Sequence, residues 1–378
     1  MSNIDQSIKE SQGLESPSTA SRKAKLQKTL LELLEIESEY PNEEEVATYI
    51  KARLDSVNVS WEIDEFGNII AKTPGVGDPI MLSTHMDIPE LIPNFGYVVE
   101  GDIIKSDGNG ILGVDPKSGL AVILEFVSDL VSREDSVSRA PLEVVITRGE
   151  EKGLLGAKNL DYSLVESKMG LVLDEDGPLS SVVTQAPSCV YIDVVFTGKV
   201  AHPREPEEAH NALQAATEAM ADLPWGFAAE GVMWNIGMFE AGTARNSVPG
   251  IAKLSGELRS YDSEAMQVQA ERIKNVLVTK SELHGVECAV ELSVDTEGYA
   301  HEETAGVLKS IEESLAKMGI TPNYYATLGR SDANIFNANG ISTAAIGSGY
   351  YNAHQYSEYA SLGDMEDICK FLEVFISR

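Results

Sequence analysis

Cysteine is scarce in this chain, with only Cys189, Cys288 and Cys369 in 378 residues and no CxxC spacing. Their odd number and wide separation exclude a disulfide framework and a thiolate zinc site. The sequence therefore predicts three reduced thiols in the core, where free cysteine is usually found. Long apolar runs are missing too. No stretch approaches the length of a membrane span, and the opening MSNIDQSIKESQGLESPSTA lacks the apolar centre of a signal peptide. A cytoplasmic protein is expected. Positive charge is the third shortage: 29 Lys plus Arg stand against 60 Asp plus Glu, for a formal net charge of −31. Such a surface repels phosphate backbones and anionic lipid, so neither nucleic acid nor membrane is expected as a partner. Apolar material is ample at 43% of residues, and the length suggests two domains rather than one core.

After a polar, Ser-rich leader over 1–21, expected to be loose, SRKAKLQKTLLELLEIESEY places Leu26, Leu30, Leu33 and Leu34 at helical spacing. A second helix is expected from Asn42, with Asn42 as cap and Glu45 closing a capping box. Strand-like runs follow in NIIAK, PIMLSTH, PLEVVIT and GLVLD, and the helical GLAVILEFVSDLVSRE separates the second from the third. Strands separated by helices indicate an α/β layer with a largely parallel sheet. From Cys189 the rhythm changes to β-α-β-β-α-β, the order of a ferredoxin-like sandwich. Beyond Gly298 the α/β pattern resumes, with a helix from about Glu302 to Met318, a strand in STAAIGS and a closing helix from Asp364. The organisation expected is a catalytic domain over 22–188 and 298–378, interrupted by an inserted domain over 189–297.

Five segments at the ends of apolar runs carry the chemistry: LSTHMDIPE with His85 and Asp87, ILGVDPKSG with Asp115, VVITRGEEKG with Glu150 and Glu151, GLVLDEDGP with Asp174, and YYNAHQYSE with His354. Zinc takes imidazole nitrogen and carboxylate oxygen, and ligands of open parallel sheets bind beyond the carboxyl ends of the strands. Residues i and i+2 of an extended chain face the same side, so Asp87 can hold the ring nitrogen of His85 that faces away from a metal. Asp115 could offer its two oxygens to two cations, aimed by a cis bond to Pro116, an isomer that proline makes accessible. Taken alone, it reads as an N-capping aspartate before a proline at the first helical position. Glu150 and Glu151 place two like charges side by side, which a metal would make tolerable. The division expected is Glu151 as ligand and Glu150 as the group that moves protons. Glu175 and Asp176 crowd the turn after GLVLD, where strand exit favours Asp174 as the ligand.

From about Lys25 onward, LSTHMD, SDGNGILGVDPKSG, TRGEEKGLLGAK, LDEDGP, FTGKVAHP, ARNSVPG and GRSDANIF together resemble the dizinc aminoacylase and carboxypeptidase family, and most closely its peptidase T-like branch. The resemblance implies two Zn2+ ions, with Co2+ or Mn2+ as substitutes, bridged by Asp115 and a water. His85 and Asp174 would complete one ion and Glu151 and His354 the other, with Glu150 as general base. It also implies a homodimer through the inserted domain, from which His202 in GKVAHP would reach the neighbouring subunit's site and stabilise an oxyanion. Asn246 and Arg259 are candidates for gripping a terminal carboxylate of the substrate.

Three positions depart from the family's usual glycines: Arg204, Ala209 and Arg330. Arg330 is expected either to bind an acidic or carboxylate-bearing substrate or to narrow the site. His210, His284 and His301 sit in polar settings and are expected to be solvent-exposed, without a role. The reading is a cytoplasmic metal-dependent hydrolase that cleaves an amide bond of a small peptide, resembling a tripeptidase acting as an aminopeptidase. An N-acyl-amino-acid deacylase or a carboxypeptidase could use the same core. A non-catalytic metal-binding scaffold is a third reading, opposed by the presence of both Glu150 and Glu151.

Overall fold

The computed structural model describes residues 21–377 except 93, 94, 134–138 and 303. The expected leader therefore lies outside the described residues apart from Ser21, whose hydroxyl accepts from the amide of Ala24 and caps α1 (Arg22–Leu34). Leu26, Leu30, Leu33 and Leu34 are all buried there, as their spacing requires. Helix α2 (Glu44–Ser56) differs at its start. Glu43 occupies the cap position without a side-chain cap bond, so the expected Asn42–Glu45 capping box does not form. The carboxylate of Glu43 instead accepts from the guanidinium of Arg148 at 2.8 Å and the amide of Gly149 at 3.0 Å.

A nine-stranded sheet forms the large layer, in the order β1 (Ser60–Ile63), β2 (Ile69–Lys72), β6 (Leu142–Thr147), β3 (Ile80–His85), β7 (Met169–Glu175), β16 (Ser342–Gly347), β8 (Ser181–Ala186) and β14 (Tyr299–Ala300), with β15 (Asn323–Ala326) also on β8. Its centre, β6-β3-β7-β16, is parallel, and the flanks are mostly antiparallel. Every residue of β3 and β6 is buried, as in a sheet covered on both faces. One face packs on α1, α2, α3 (Val114–Val131), α7 (Gly306–Lys317) and α9 (Leu362–Ile376) through Leu82, Val144 and Leu171. The other, carrying Met81, Val145 and Val172, packs on α4 (Leu155–Lys158) and α8 (Asp332–Ala338). The helix expected from about Glu302 to Met318 is α7, which begins at Gly306 and ends at Lys317.

Residues 188–296 build a second sheet, wholly antiparallel, in the order β10 (Gly226–Ala229), β11 (Val232–Ala241), β12 (Ile251–Ser260), β9 (Ser188–Thr197) and β13 (Glu287–Thr296). It packs on α5 (Ala212–Ala221) and α6 (Ser263–Leu283) around its own core of Ile192, Phe196, Trp234, Leu258 and Ile273. Four of its strands and both helices follow the ferredoxin-like order. Strand β10 is an addition at the edge, too short to read from sequence. A small antiparallel sheet was likewise not expected: β17 (Tyr350–Tyr351), β18 (Tyr359–Ser361), β5 (Ile103–Ser106) and β4 (Tyr97–Glu100).

Charged side chains join the two large sheets. Asp295 on β13 accepts from Lys158 Nζ at 2.5 Å and also from Arg330, and Arg259 on β12 donates to the carbonyl of Leu328 at 3.0 Å. All three thiols are free, with Cys189 and Cys369 buried and Cys288 only half-buried. Among the described residues no helix is long and apolar enough to cross a membrane.

Candidate metal centre

The parallel strands end on one edge, and their last residues deliver the candidate side chains there. His85 closes β3, Asp174 lies at the end of β7, Glu150 and Glu151 follow β6, and His354 lies beyond β16 in the loop of a short hairpin, 350–351 with 359–361. Asp115 arrives from the start of α3. That helix lies against the sheet because position 119 is glycine: a Cβ there would sit 2.3 Å from the carbonyl oxygen of Leu173 and 3.1 Å from Thr84 Oγ1. The Asp115–Pro116 bond is cis, as expected. Asp115 has non-helical φ −84° and ψ 108°, the cap position belongs to Gly113, and no side chain caps the helix, so the capping alternative does not hold.

The distances define two overlapping sets. His85 Nε2 lies 3.2 Å from Asp174 Oδ1 and 3.3 Å from Asp115 Oδ1, and His354 Nε2 lies 3.2 Å from Asp115 Oδ2 and 3.0 Å from Glu151 Oε1. His85, Asp115 and Asp174 thus form one cluster of ligand atoms, and Asp115, Glu151 and His354 a second. His85, Glu150 and Glu151 also come within reach of one another, with Glu150 Oε2 4.0 Å from His85 Nε2. Asp115 Oδ1 is buried and lacks a hydrogen-bond partner. Hard oxygens, two imidazoles, one shared carboxylate and an unsatisfied buried oxygen are the donor set that a pair of divalent cations takes.

Asp87 does more than sequence spacing foretold. Fully buried, it faces His85 Nδ1 at 3.2 Å and accepts from the amides of Glu150 at 2.9 Å and Glu151 at 3.1 Å. One carboxylate therefore orients the ring of His85 and fixes the turn that carries both glutamates.

Electrostatics agree with a site built for cations. Burial pushes the carboxyls of Glu150 and Asp174 well above the usual range, with His85 opposing and neighbouring carboxylates adding to the shift. Burial also raises Glu151, against the pull of His354. The His354 ring is pushed up to about 11 by its hydrogen bonds to Asp115 and Glu151. For His85, burial disfavours the charged ring, but Asp174, Glu150 and Asp115 outweigh it and hold its pKa well above the ordinary value. Asp115 is shifted downward: burial raises it, and the two rings more than reverse that. A dication at this place would relieve the carboxylate repulsion that contributes to these shifts.

The remaining candidates lie apart from this cluster. His202 and Asn246 are exposed on the inserted segment, and His202 Nδ1 accepts from the amide of Arg204. Arg259 is held by Glu257 at 2.9 Å and by Leu328. Arg330 lies over the ring of Tyr191 and pairs with Asp295, with its side chain only 10% exposed. It also lines a small pocket with Asp174, Glu175, Tyr299 and Ser331. It is thus a neutralised cation at the cleft wall. His210 is exposed, whereas His284 and His301 are half-buried and bonded to Glu218 and to the carbonyl of Thr343. Two buried carboxyls near the candidate ligands have no role in the sequence reading: Asp332, bonded to Thr147, and Glu358, four residues after His354. Asp332 falls within GRSDANIF and Glu358 ends YYNAHQYSE, but neither segment singles out its carboxylate.

Comparison with known proteins adds the family. Residues 189–284 match the model of the Peptidase dimerisation domain, and residues 68–184 match that of Peptidase family M28. An uncharacterized Bacillus subtilis protein, YqjE, is 31% identical over 366 residues, covering 93% of this chain and 97% of its own. The chain belongs to the aminoacylase/carboxypeptidase metallopeptidases, in their peptidase T-like branch. It is a metal-dependent peptidase. Peptidase T of Bacillus cereus is 26% identical over 298 residues, covering 77% of this chain and 72% of its own. A tripeptidase structure from Staphylococcus aureus superposes with a TM-score of 0.84 at 29% identity, over 94% of this chain and 97% of that one. The aminopeptidase PepT of Bacillus cereus gives 0.80 at 29% identity, over 94% and 98%. A Bacillus subtilis structure described as a dinuclear metal-binding peptidase shares the fold at 16% identity, with a TM-score of 0.70 over 94% and 97%.

Proposed function

We propose that this peptidase T-like protein is a cytoplasmic, zinc-dependent aminopeptidase that removes the first residue of small peptides, tripeptides above all. The observation that carries the reading is the sharing of Asp115 between two ligand clusters, with Glu150 beside them. In this reading two ions would share Asp115, with His85 and Asp174 holding one and Glu151 and His354 the other. Two divalent cations held there would lower the pKa of a water and polarise the scissile carbonyl. Glu150, buried and with a raised pKa, takes the proton of that water and passes it to the leaving amine. Asp87 keeps His85 in the tautomer that presents Nε2 to the site.

His202 lies on the inserted segment, exposed and outside the cluster, which suits a residue that serves a neighbouring subunit. A homodimer through the segment matched to the dimerisation domain would bring it into the neighbouring subunit's site, where it would stabilise the oxyanion that develops on the substrate's carbonyl. Asn246 and Arg259 are assigned to the substrate's terminal carboxylate. Arg330, tied to Asp295, narrows the cleft rather than meeting an acidic substrate as a free cation. The three free thiols support the cytoplasmic assignment.

Steady-state rates on a tripeptide, on its amino-blocked form and on an acetylated amino acid test the choice. The free tripeptide should be turned over at least tenfold faster than either. Turnover of only the blocked substrates would replace this reading with a deacylase or carboxypeptidase.

A further inference from the structure

We infer that Glu358 is a positioning residue for the metal centre: one buried carboxylate locks the loop that presents Asp115 to the loop that presents His354. Glu358 is 1% exposed, and its Oε2 accepts from the amides of Leu112 at 2.5 Å and Gly113 at 2.7 Å. Those amides lie two and three residues before Asp115, in a turn where Gly113 has φ +76°. Glu358 stands four residues after His354, and its backbone closes the same turn, with its amide bonded to the carbonyl of Gln355 at 3.0 Å and its carbonyl accepting from Ser106 at 3.0 Å. Asn352 and His354 both adopt positive φ, at 59° and 60°, so this turn is one that needs outside support. The small sheet anchors its far end, with β18 paired to β5.

The consequence is geometric. Asp115 Oδ2 and His354 Nε2 meet at 3.2 Å although they lie on separate loops, and Glu358 is a direct link between those loops besides the candidate ligands themselves. One carboxyl oxygen that accepts two successive backbone amides fixes both donors at once. Buried Lys117, just after Pro116, donates to the carbonyl of Ile36 at 2.6 Å and so ties the start of α3 to the segment after α1. Glu358 touches no reacting group. It acts through the spacing of Asp115 and His354, and so rests on the reading of these two as ligands.

The test is titration of Co2+ into the chelated, full-length protein, followed by calorimetry and by the visible absorption of bound Co2+. Wild type should take up two ions. Glu358→Asp keeps the charge but is too short to reach both amides, and Glu358→Ala removes the acceptor. Each should weaken at least one binding event by about 10- to 100-fold, the range for supporting residues around a metal. Glu358→Gln keeps both the reach and one acceptor oxygen and should stay within about threefold of wild type, restoring most of what the other two lose. Should Glu358→Ala fail to fold, the Asp and Gln variants carry the comparison. Variants that melt lower yet bind both ions with wild-type affinity and spectrum would overturn the proposal, leaving Glu358 a purely structural group. Asp115→Asn separates the two failures. If it still binds two ions, the ligand reading fails, whereas if it loses them while every Glu358 variant binds normally, only the lock fails.

Discussion

Replacing Asp87 with alanine should damage both stability and metal binding, and the size of each effect follows from its contacts. The carboxylate is fully buried and serves three donors: the ring of His85 and the amides of Glu150 and Glu151. Water cannot replace it without entering a closed space. A buried donor left unsatisfied costs about 1–3 kcal/mol, so three lost partners come to roughly 3–9 kcal/mol. Urea unfolding of the chelated protein, compared with wild type, reads this directly. Freeing the turn and the imidazole should also weaken metal binding about 10- to 100-fold, measured by calorimetry on protein shown to be folded. Asp87→Asn should fall between, because the amide keeps one acceptor oxygen but turns an NH2 toward an N–H donor. A stability loss under about 1 kcal/mol for the alanine variant, together with unchanged metal affinity, would refute the reasoning.

Glu150→Gln should retain two bound ions by elemental analysis yet lose about 100- to 10,000-fold in kcat, the range of a general base; near-normal turnover would remove Glu150 from that role. The chelated protein should lose stability as pH rises. The His354 ring is shifted from 6.5 to about 11, so its contribution is fully present below pH 6.5 and lost through about pH 11. The raised carboxyls of Glu150 and Asp174 act in the same direction, and melting temperatures between pH 6.5 and 11 that rise or stay level would contradict this. Asp295→Asn should be costly because Lys158 and Arg330 both lean on that buried carboxylate. Breaking such a group typically costs about 3–5 kcal/mol, seen as a lowered thermal midpoint that Arg330→Ala shares only in part.

How much of this was legible in the sequence depends on the kind of signal. The parallel strands β3, β6, β7 and β16 were readable because burial on both faces makes them continuous apolar runs, and ligands at their ends follow from the way open sheets bind. The helix periodicity of Leu26 to Leu34 translated directly into a buried stripe. The small sheet gave no such signal. Its strands are two to four residues long and partly exposed, and its two hairpins join each other across the chain through the register of Tyr359 with Lys105. Glu43 shows the limit for capping: the residues around Asn42 suit a capping box, but Arg148 and Gly149 take the neighbouring carboxylate for the active loop. The candidate ligands were legible because metal chemistry restricts residue type. The supports, Glu358 and Asp332, were not, since any carboxylate can accept a backbone amide or a hydroxyl and only the fold says which one does.

The central claim is that Asp115 joins two metal sites. Anomalous diffraction from crystals soaked in Zn2+ tests it most directly. The account predicts two peaks, each about 2 Å from an oxygen of Asp115, one also against His85 and Asp174 and the other against Glu151 and His354. A lone peak, or peaks that leave Asp115 without a ligand bond, would contradict it.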